Sequence, residues 1–363
     1  MEDETSPSAT SGHYHILRQG LNSAMIPGLD GIRALAVSFV VFYHMGFENS
    51  PGSLGVTAFF VLSGFLITWL LLREQERHGR IDIWRFYVRR GLRIFPAFYV
   101  YWLVSVALLS VFGKTILWPQ FIASAAYVTN YYHAVVGHQT SLVAHTWSLS
   151  VEEQFYLLWP VTAVWLLRSP ERMSRRLLAM IALVVSWRSL GRFVLGLPEV
   201  HAYETLDMRA DHLLIGCWLA IALRREIGTA FFRAITASAW LPLIPILLLV
   251  ASDRLQAQGF DWRDSVGALV DPWLVAVLLV QVIAFAQHPA WRWLSWRPVV
   301  LVGQLSYSIY LYHNLALTQA GKFLPESGVL RVVGCYLCVV LVGLASYLLV
   351  EKPFLRWKSR FSV

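Results

Sequence analysis

The sequence predicts an all-α polytopic membrane protein, a bundle of about ten transmembrane helices with both termini in the cytoplasm. Only 14% of its 363 residues are charged, whereas a soluble domain carries about 25%. Its apolar residues come in runs of about 20, the length that a helix needs to cross a ~30 Å hydrocarbon core. Arginines cluster between alternate runs, which is the positive-inside bias of membrane proteins.

The predicted helices follow from these runs in chain order. A strongly basic segment, from Arg73 to Arg93, comes after the second run and must face the cytoplasm. Later basic loops recur after every second run, so the orientation stays consistent to the end of the chain. The external segment 113–145 contains an apolar part, 118–132, that fits a short interfacial helix. The predicted spans are approximately 26–46, 53–72, 94–112, 147–167, 177–197, 208–223, 234–251, 268–286, 299–320 and 329–350.

The two ends of the chain are polar. Residues 1–24 lack the apolar core of a signal peptide, and we expect a disordered cytoplasmic tail there. Residues 25–353 form the predicted transmembrane domain, and 354–363 form a basic cytoplasmic tail. The net charge of +8 arises from topology-setting arginines, so nucleic acid is not an expected partner. The three cysteines lie in apolar runs and are interpreted as packing residues, and we expect no metal site.

Ionisable residues inside the first span mark a candidate site, because a charge in the membrane is costly unless it faces a protein interior or a wet cavity. Arg33 and His44 are eleven residues apart, which returns them to within about 20° of one helix face, with a rise of roughly 16 Å. A cation near the cytoplasm and an imidazole further out would suit a long anionic donor. Snorkelling or helix packing is the alternative.

Two further groups of charges extend this site. Glu152 and Glu153 lie near the expected depth of His44, and either one could orient it as a general base. The alternative is that both make structural ion pairs. Arg90 and Arg93 are three residues apart on one helical face, which suits phosphate contacts. Binding of lipid headgroups, or setting of the topology alone, is the alternative there.

Four residues are candidates for binding the acceptor. Asp207, Arg209 and Asp211 open the sixth predicted helix at its outer end, where a capped and solvated helix start is an equally good interpretation. His313 lies toward the outer part of the ninth predicted helix, behind several tyrosines and serines. Such side chains often form hydrogen bonds between membrane helices, so a structural role is equally open for it.

Six phrases, in order, carry a resemblance to a known family: IPGLDGIRALAVSFVVFYH, FFVLSGFLIT, RRGLRIFPAFY, HTWSLSVEEQFYLLWP, DMRADHLLIG and LSYSIYLYHN. They cover residues 26–353, and the chain resembles the acyltransferase 3 family of integral-membrane O-acyltransferases. The resemblance implies a ten-helix core and acyl transfer from cytoplasmic acyl-CoA, commonly acetyl-CoA, to hydroxyls. Some members add a C-terminal esterase-like domain, and we expect none here because the sequence ends at Val363.

The family's functional residues transfer onto matching positions only. Its pair in the first helix falls on Arg33 and His44, its basic motif falls on Arg90 and Arg93, and its acid falls on Glu152 or Glu153. Acyl-CoA would then be a co-substrate, with no permanently bound cofactor.

The predicted function is therefore a plasma (inner) membrane enzyme that acylates a carbohydrate, an envelope glycan or a lipid-linked sugar, with membrane lipid as its surroundings. A macrolide-type acceptor is an open alternative. A proton-coupled or lipid transporter is another, against which the chain shows no internal inverted repeat. A non-catalytic membrane scaffold is the third. The acyl chain length, a covalent acyl-enzyme and the oligomeric state are left open.

Overall fold

The computed structural model describes residues 9–23, 25–47, 49–257, 263–325, 327–358 and 361. Within these ranges the chain forms α-helices, short 3₁₀ and π segments and no strand, as the sequence predicts. The helices are α1 (Ala9–Asn22), α2 (Leu29–His44), α3 (Gly52–His78), α4 (Ile83–Val111), α5 (Trp118–Ala125), α6 (Thr129–Val136), α7 (Trp147–Leu167), α8 (Met173–Phe193), α9 (Glu199–Glu204), α10 (Leu206–Arg224), α11 (Thr229–Ile235), α12 (Leu243–Ala257), α13 (Ala268–Ala284), α14 (Arg297–Gln304), α15 (Ser306–Ala320), α16 (Val329–Ser346) and α17 (Lys352–Lys358).

Four helical segments among the described residues are long and apolar enough to cross a membrane. They are Gly52–His78, Ile83–Val111, Ser265–Ala284 and Val329–Trp357, the last of which joins α16 to α17 through a π-helical turn. These segments support the predicted all-α membrane class. The count of ten spans and the cytoplasmic position of both termini stay predictions.

Several elements differ from the predicted spans. The predicted helix 299–320 is interrupted at Leu305, which separates α14 from α15. The predicted helix 234–251 instead begins at Leu243, directly after Pro242, because proline disfavours helical backbone in the residue before it. Segment 113–145, which is predicted to be external, contains two short helices, α5 and α6, where one was expected.

The N-terminal tail requires a correction, because residues 9–22 form α1 and are not disordered. Leu17 and Leu21 lie one helical turn apart and are fully buried, and α1 packs on α13 and α11. Arg18 donates a hydrogen bond to the carbonyl oxygen of Leu223 at 2.9 Å and pairs with Glu226 at 2.6 Å. The segment is polar on average, so its narrow apolar stripe did not indicate a helix. Packing of this stripe against the rest of the protein is sufficient to stabilise the helix.

The helices α3 and α10 pack with their backbones in close contact. A Cβ atom added at Gly64 would collide with the backbone of Leu213, and one at Gly216 would collide with the carbonyl oxygen of Val61. Small residues that let two backbones touch are the usual means of packing helices in membranes. Because Ser63 precedes Gly64, this contact also fixes the α3 face that lines the candidate site.

Candidate active site

A cavity of about 360 Å³ contains four guanidinium groups. Arg33 comes from α2, Arg73 from the last part of α3, and Arg90 and Arg93 from the start of α4. The structure therefore brings together Arg33, Arg90 and Arg93, the three arginines that the sequence marks for the donor. We call this cavity the arginine cavity. Its walls also carry three carboxylates, those of Asp30, Glu152 and Glu153.

Local contacts hold the charges of the arginine cavity in place. The guanidinium of Arg90 lies over the ring of Tyr156, 4.0 Å from its centroid. Ser63 donates a hydrogen bond to Glu152 Oε1 at 2.6 Å. Arg89, the neighbour of Arg90, points elsewhere and pairs with Glu74 at 2.7 Å. Adjacent residues of a helix point in different directions. For this reason Arg89 pairs with Glu74, whereas Arg90 and Arg93 face the arginine cavity.

A second cavity, of about 940 Å³, contains His44 and is called the histidine cavity. Val56 and Tyr310 line both this cavity and the arginine cavity, and we call these two side chains the partition. Arg33 and His44 lie on the same helix, separated by a rise of roughly 16 Å. The two cavities therefore occupy opposite ends of α2. A further opening of about 880 Å³ also reaches His44.

The protonation of His44 follows from its single hydrogen-bond partner. Its Nδ1 lies 2.8 Å from the carbonyl oxygen of Val40, one turn earlier in α2. A carbonyl oxygen can only accept, so Nδ1 carries the proton and the lone pair of the neutral ring is on Nε2. This is the form of imidazole that can take a proton from a hydroxyl group.

Two more histidines complete a cluster with His44. The centroids of the His44 and His313 rings are 4.7 Å apart, and those of His145 and His313 are 4.8 Å apart. His313 donates through Nδ1 to the carbonyl oxygen of Tyr310 at 2.6 Å, and His145 donates through Nε2 to that of Leu311 at 3.1 Å. Both rings are almost fully buried. His313 thus lies beside His44 but lines neither cavity, and its role in binding the acceptor stays a prediction.

Tyr310 links the cluster to the partition. Its hydroxyl forms a hydrogen bond with Ser148 Oγ and donates to the carbonyl oxygen of His145 at 3.0 Å. The phenol is therefore fixed between α7 and α15, with one side toward each cavity.

One predicted contact requires correction. Glu152 and Glu153 were expected to support His44, but both line the arginine cavity, and neither forms a hydrogen bond or an ion pair with His44 among the described residues. The backbone carbonyl of Val40 orients the imidazole in their place. The span of α7 agrees with the predicted helix 147–167, so the difference lies in how this helix is placed against α2 and α4, which brings both glutamates to the arginine cavity.

Comparison with known proteins now assigns the family, because a model described as an acyltransferase domain matches residues 26–349. This chain belongs to the acyltransferase 3 family. It is 31% identical over 358 residues to the O-acetyltransferase OatA of Staphylococcus aureus, and the alignment covers 90% of this chain and 57% of that protein. It is also 31% identical over 353 residues to the peptidoglycan O-acetyltransferase OatA of Listeria monocytogenes, with 90% and 55% covered.

The chain therefore spans little more than half the length of these relatives. No solved structure matches it. Within this acyltransferase domain, the phrases that carried the resemblance line the two cavities: Arg33 and His44 come from the first, Arg90 and Arg93 from the third, Glu152 from the fourth and Tyr310 from the sixth.

The acidic residues of α10 do not act as one group, although their spacing places them on one helical face. Asp207 accepts hydrogen bonds from Trp187 at 2.8 Å and from Tyr131 at 3.1 Å near the surface. Asp211 is fully buried, and its two carboxylate oxygens each lie 2.8 Å from Nη1 of Arg188. It lines neither cavity, so its contacts favour the structural interpretation over acceptor binding.

Arg209 is also buried. Its guanidinium lies over the ring of Tyr203, 4.6 Å from the centroid, and 5.9 Å from that of Phe60. Tyr203 lines the histidine cavity, so Arg209 lies behind its wall.

Sequence reasoning missed several residues of the site. Arg73 follows the second apolar run and was interpreted only as a residue that sets the topology. His145 begins the same phrase as Glu152 and Glu153, but only the two glutamates were predicted as site residues. Outside the two cavities, Glu351 is also buried and accepts a hydrogen bond from Ser308. It occurs at the end of the last apolar run, and a single acidic residue next to a basic tail could have marked it as a buried partner of other polar groups.

Proposed function

We propose that this chain is an O-acetyltransferase that takes the acetyl group of acetyl-CoA from the cytoplasm and delivers it to a hydroxyl of an envelope glycan. The single observation that carries the proposal is the pair of cavities at opposite ends of α2. One is lined by arginines, the other contains His44 with its Nδ1 held by the carbonyl oxygen of Val40, and among the described residues Val56 and Tyr310 are common to both. The enzyme would lie in the plasma membrane and cross it ten times.

The arginine cavity suits the phosphates of the donor. Guanidinium groups bind phosphate oxygens through paired, charge-assisted hydrogen bonds, which are about twice as strong as neutral ones. Arg73 and Arg90 stand at the basic end of their helices, which the positive-inside rule places in the cytoplasm, where CoA thioesters are made. The pantetheine arm would then extend along α2 past Tyr310, which puts the thioester near His44.

The chemistry proposed at His44 is general base catalysis. Nε2 accepts the proton of the acceptor hydroxyl as the hydroxyl oxygen attacks the thioester carbonyl carbon. The carbon–sulfur bond then breaks, the acetyl group remains on the acceptor oxygen as an ester, and the CoA thiolate takes the proton from the imidazolium. His313 and His145 pack beside His44 and exclude water from its inner side. General base catalysis of this kind contributes ~10²–10⁴-fold.

A glycan acceptor is proposed from two features. The histidine cavity, at about 940 Å³, is large enough for several sugar units, and its walls carry aromatic and carboxylate side chains such as Trp147, Tyr203 and Glu199. The relatives named above are O-acetyltransferases, and one is named for peptidoglycan.

The test is release of free CoA thiol from acetyl-CoA by the purified protein in lipid nanodiscs, with soluble glycan fragments as acceptors. The wild type is compared with His44→Ala and with His78→Ala, a control in which an exposed histidine at the end of α3 is replaced. We expect acceptor-dependent thiol release that falls ~10²–10⁴-fold in His44→Ala and stays unchanged in His78→Ala. Retention of wild-type transfer by a folded His44→Ala protein would contradict the assignment. Absence of any acetyl-CoA turnover or binding would favour a transporter.

A further inference from the structure

A cluster of three side chains with metal-ligand chemistry lies beside the histidine cavity. His133 belongs to α6, His138 to the loop that follows it, and Glu204 to the end of α9. One nitrogen from each histidine and one carboxylate oxygen lie within 4.8 Å of one another. His133 Nδ1 is 2.6 Å from Glu204 Oε2, and His138 Nδ1 is 2.7 Å from Glu204 Oε1.

The three side chains of the cluster differ in burial, and this difference suits a metal ion. The side chain of His133 is fully buried and that of Glu204 is 4% exposed, whereas that of His138 is 43% exposed. His138 and Glu204 line the histidine cavity. A metal ion held here would therefore have protein ligands on one side and free coordination positions on the side that faces the cavity.

The carboxylate needs a cationic partner at this depth. A buried charge costs several kcal/mol unless it is paired, and Glu204 has only the two imidazoles as hydrogen-bond partners among the described residues. A divalent cation held by the two imidazoles and the carboxylate would compensate this negative charge.

The ligand set indicates the class of metal. Two imidazole nitrogens and one carboxylate oxygen are the ligands of open zinc sites, with metal–ligand distances of about 2.0–2.2 Å. Calcium and magnesium prefer oxygen ligands only. At the metal–ligand distances of a tetrahedral ion, two ligands lie about 3.3 Å apart. The nitrogen–oxygen contacts of 2.6 and 2.7 Å must therefore open by roughly 0.6 Å, and a ligand pair as far as 4.8 Å apart must close by roughly 1.5 Å. The half-exposed loop of His138 can provide this movement.

The outer contacts of His133 also fit. Its Nε2 lies 2.8 Å from Gln120 Nε2, and Gln120 Oε1 is buried without a hydrogen-bond partner among the described residues. When Nδ1 binds a metal, the ring proton must be on Nε2, which then needs an acceptor. Rotation of the Gln120 amide presents Oε1 to that proton, in exchange for the 2.8 Å bond to the carbonyl oxygen of Gln139.

We propose that His133, His138 and Glu204 form a binding site for a divalent transition metal, with Zn²⁺ as the best-suited ion. This site is separate from the proposed base, His44, and does not depend on the proposed acetyl transfer. It joins α6 to the following loop and to α9, and the loop and α9 contribute residues to the wall of the histidine cavity. It would fix that wall, and its free positions would face a ligand in the cavity.

The experiment measures metal binding directly and needs no activity. Protein in nanodiscs is treated with a chelator, and Zn²⁺ is then titrated in competition with a coloured indicator; bound metal per chain is counted by elemental analysis. Co²⁺ is bound separately, because its visible absorption bands report the geometry and the ligand type. The variants are Glu204→Gln, His138→Ala and His133→Ala, with His78→Ala as the matched control.

We expect one Zn²⁺ per chain in the wild type and in His78→Ala, a rise in melting temperature on binding, and at least tenfold weaker binding in the site variants. Since His133 is fully buried, His133→Ala could fail to fold; His138→Ala then decides, because its side chain is half-exposed. No stoichiometric binding by the wild type, equal affinity in folded His138→Ala and Glu204→Gln, or a Co²⁺–thiolate band that indicates a cysteine site would each overturn the proposal.

Discussion

Replacement of Arg90 tests the arginine cavity most sharply, because its neighbour in sequence is a natural control. In Arg90→Gln the cavity loses one of four guanidinium groups, and the stacking contact with Tyr156 is lost with it. In Arg89→Gln the same change of charge occurs one residue away, at a side chain that pairs with Glu74 and does not line the cavity. The two variants therefore have the same net charge and composition and differ only in the position of the change.

The expected magnitude follows from the kind of contact removed. A hydrogen bond to a charged group contributes about 1.5–3 kcal/mol, which corresponds to a rise of roughly 10- to 150-fold in the KM for acetyl-CoA. The kcat should change little, because Arg90 lies at the far end of α2 from His44. Arg89→Gln should leave KM unchanged and lower the melting temperature, since it leaves Glu74 buried without its partner.

The assay is thiol release at saturating acceptor, with acetyl-CoA varied and the measurement repeated with an acetyl donor that lacks the 3′-phosphate. If Arg90 contacts donor phosphate, KM rises in the variant and the salt dependence of KM becomes weaker. A folded Arg90→Gln protein with an unchanged KM, or an equal increase of KM in Arg89→Gln, would refute the assignment of this cavity to the donor.

Two further predictions concern packing around the site. Gly216→Leu should prevent the close contact of α3 with α10 and lower the melting temperature sharply. The control Gly91→Ala should be neutral or slightly stabilising, because its added carbon meets nothing closer than 3.5 Å. Equal melting temperatures of the two variants would show that the helices do not touch at Gly216. Asp211→Asn should destabilise the protein by roughly 3–5 kcal/mol by leaving Arg188 buried and unpaired, and the double variant Arg188→Met/Asp211→Leu should recover most of that loss. Denaturation of the single and double variants measures it, and an additive loss would contradict the pairing.

The arginine cavity could be predicted from sequence because the membrane makes its residues conspicuous. Arg33 and Glu152 stand within apolar runs, where a charge is tolerated only toward a protein interior or a wet cavity. Helical periodicity then placed Arg33 and His44 on one face. What periodicity cannot give is rotation and depth of one helix against another, and for that reason Glu152 was assigned to His44 instead of to the arginines.

The remaining parts of the site depend on contacts between distant segments. Glu204 meets His133 and His138 across 71 and 66 residues, and all three lie in segments that carry no periodic signal of their own. The helix α1 was not predicted for a related reason. Its apolar stripe, Leu17 and Leu21, is too narrow to indicate a helix from the sequence alone, and it is buried through packing against α13.

The partition of Val56 and Tyr310 has a consequence for the cell that is independent of catalysis. In the proposed topology the two cavities open to opposite sides of the membrane, across which a cell stores energy as an ion gradient, and Val56 and Tyr310 line both of them. The hydrogen bonds that fix Tyr310 would then also hold back the flow of ions from one cavity to the other. A smaller side chain at this position would be expected to make the protein leak protons, a fault visible as a loss of membrane potential even with no substrate present.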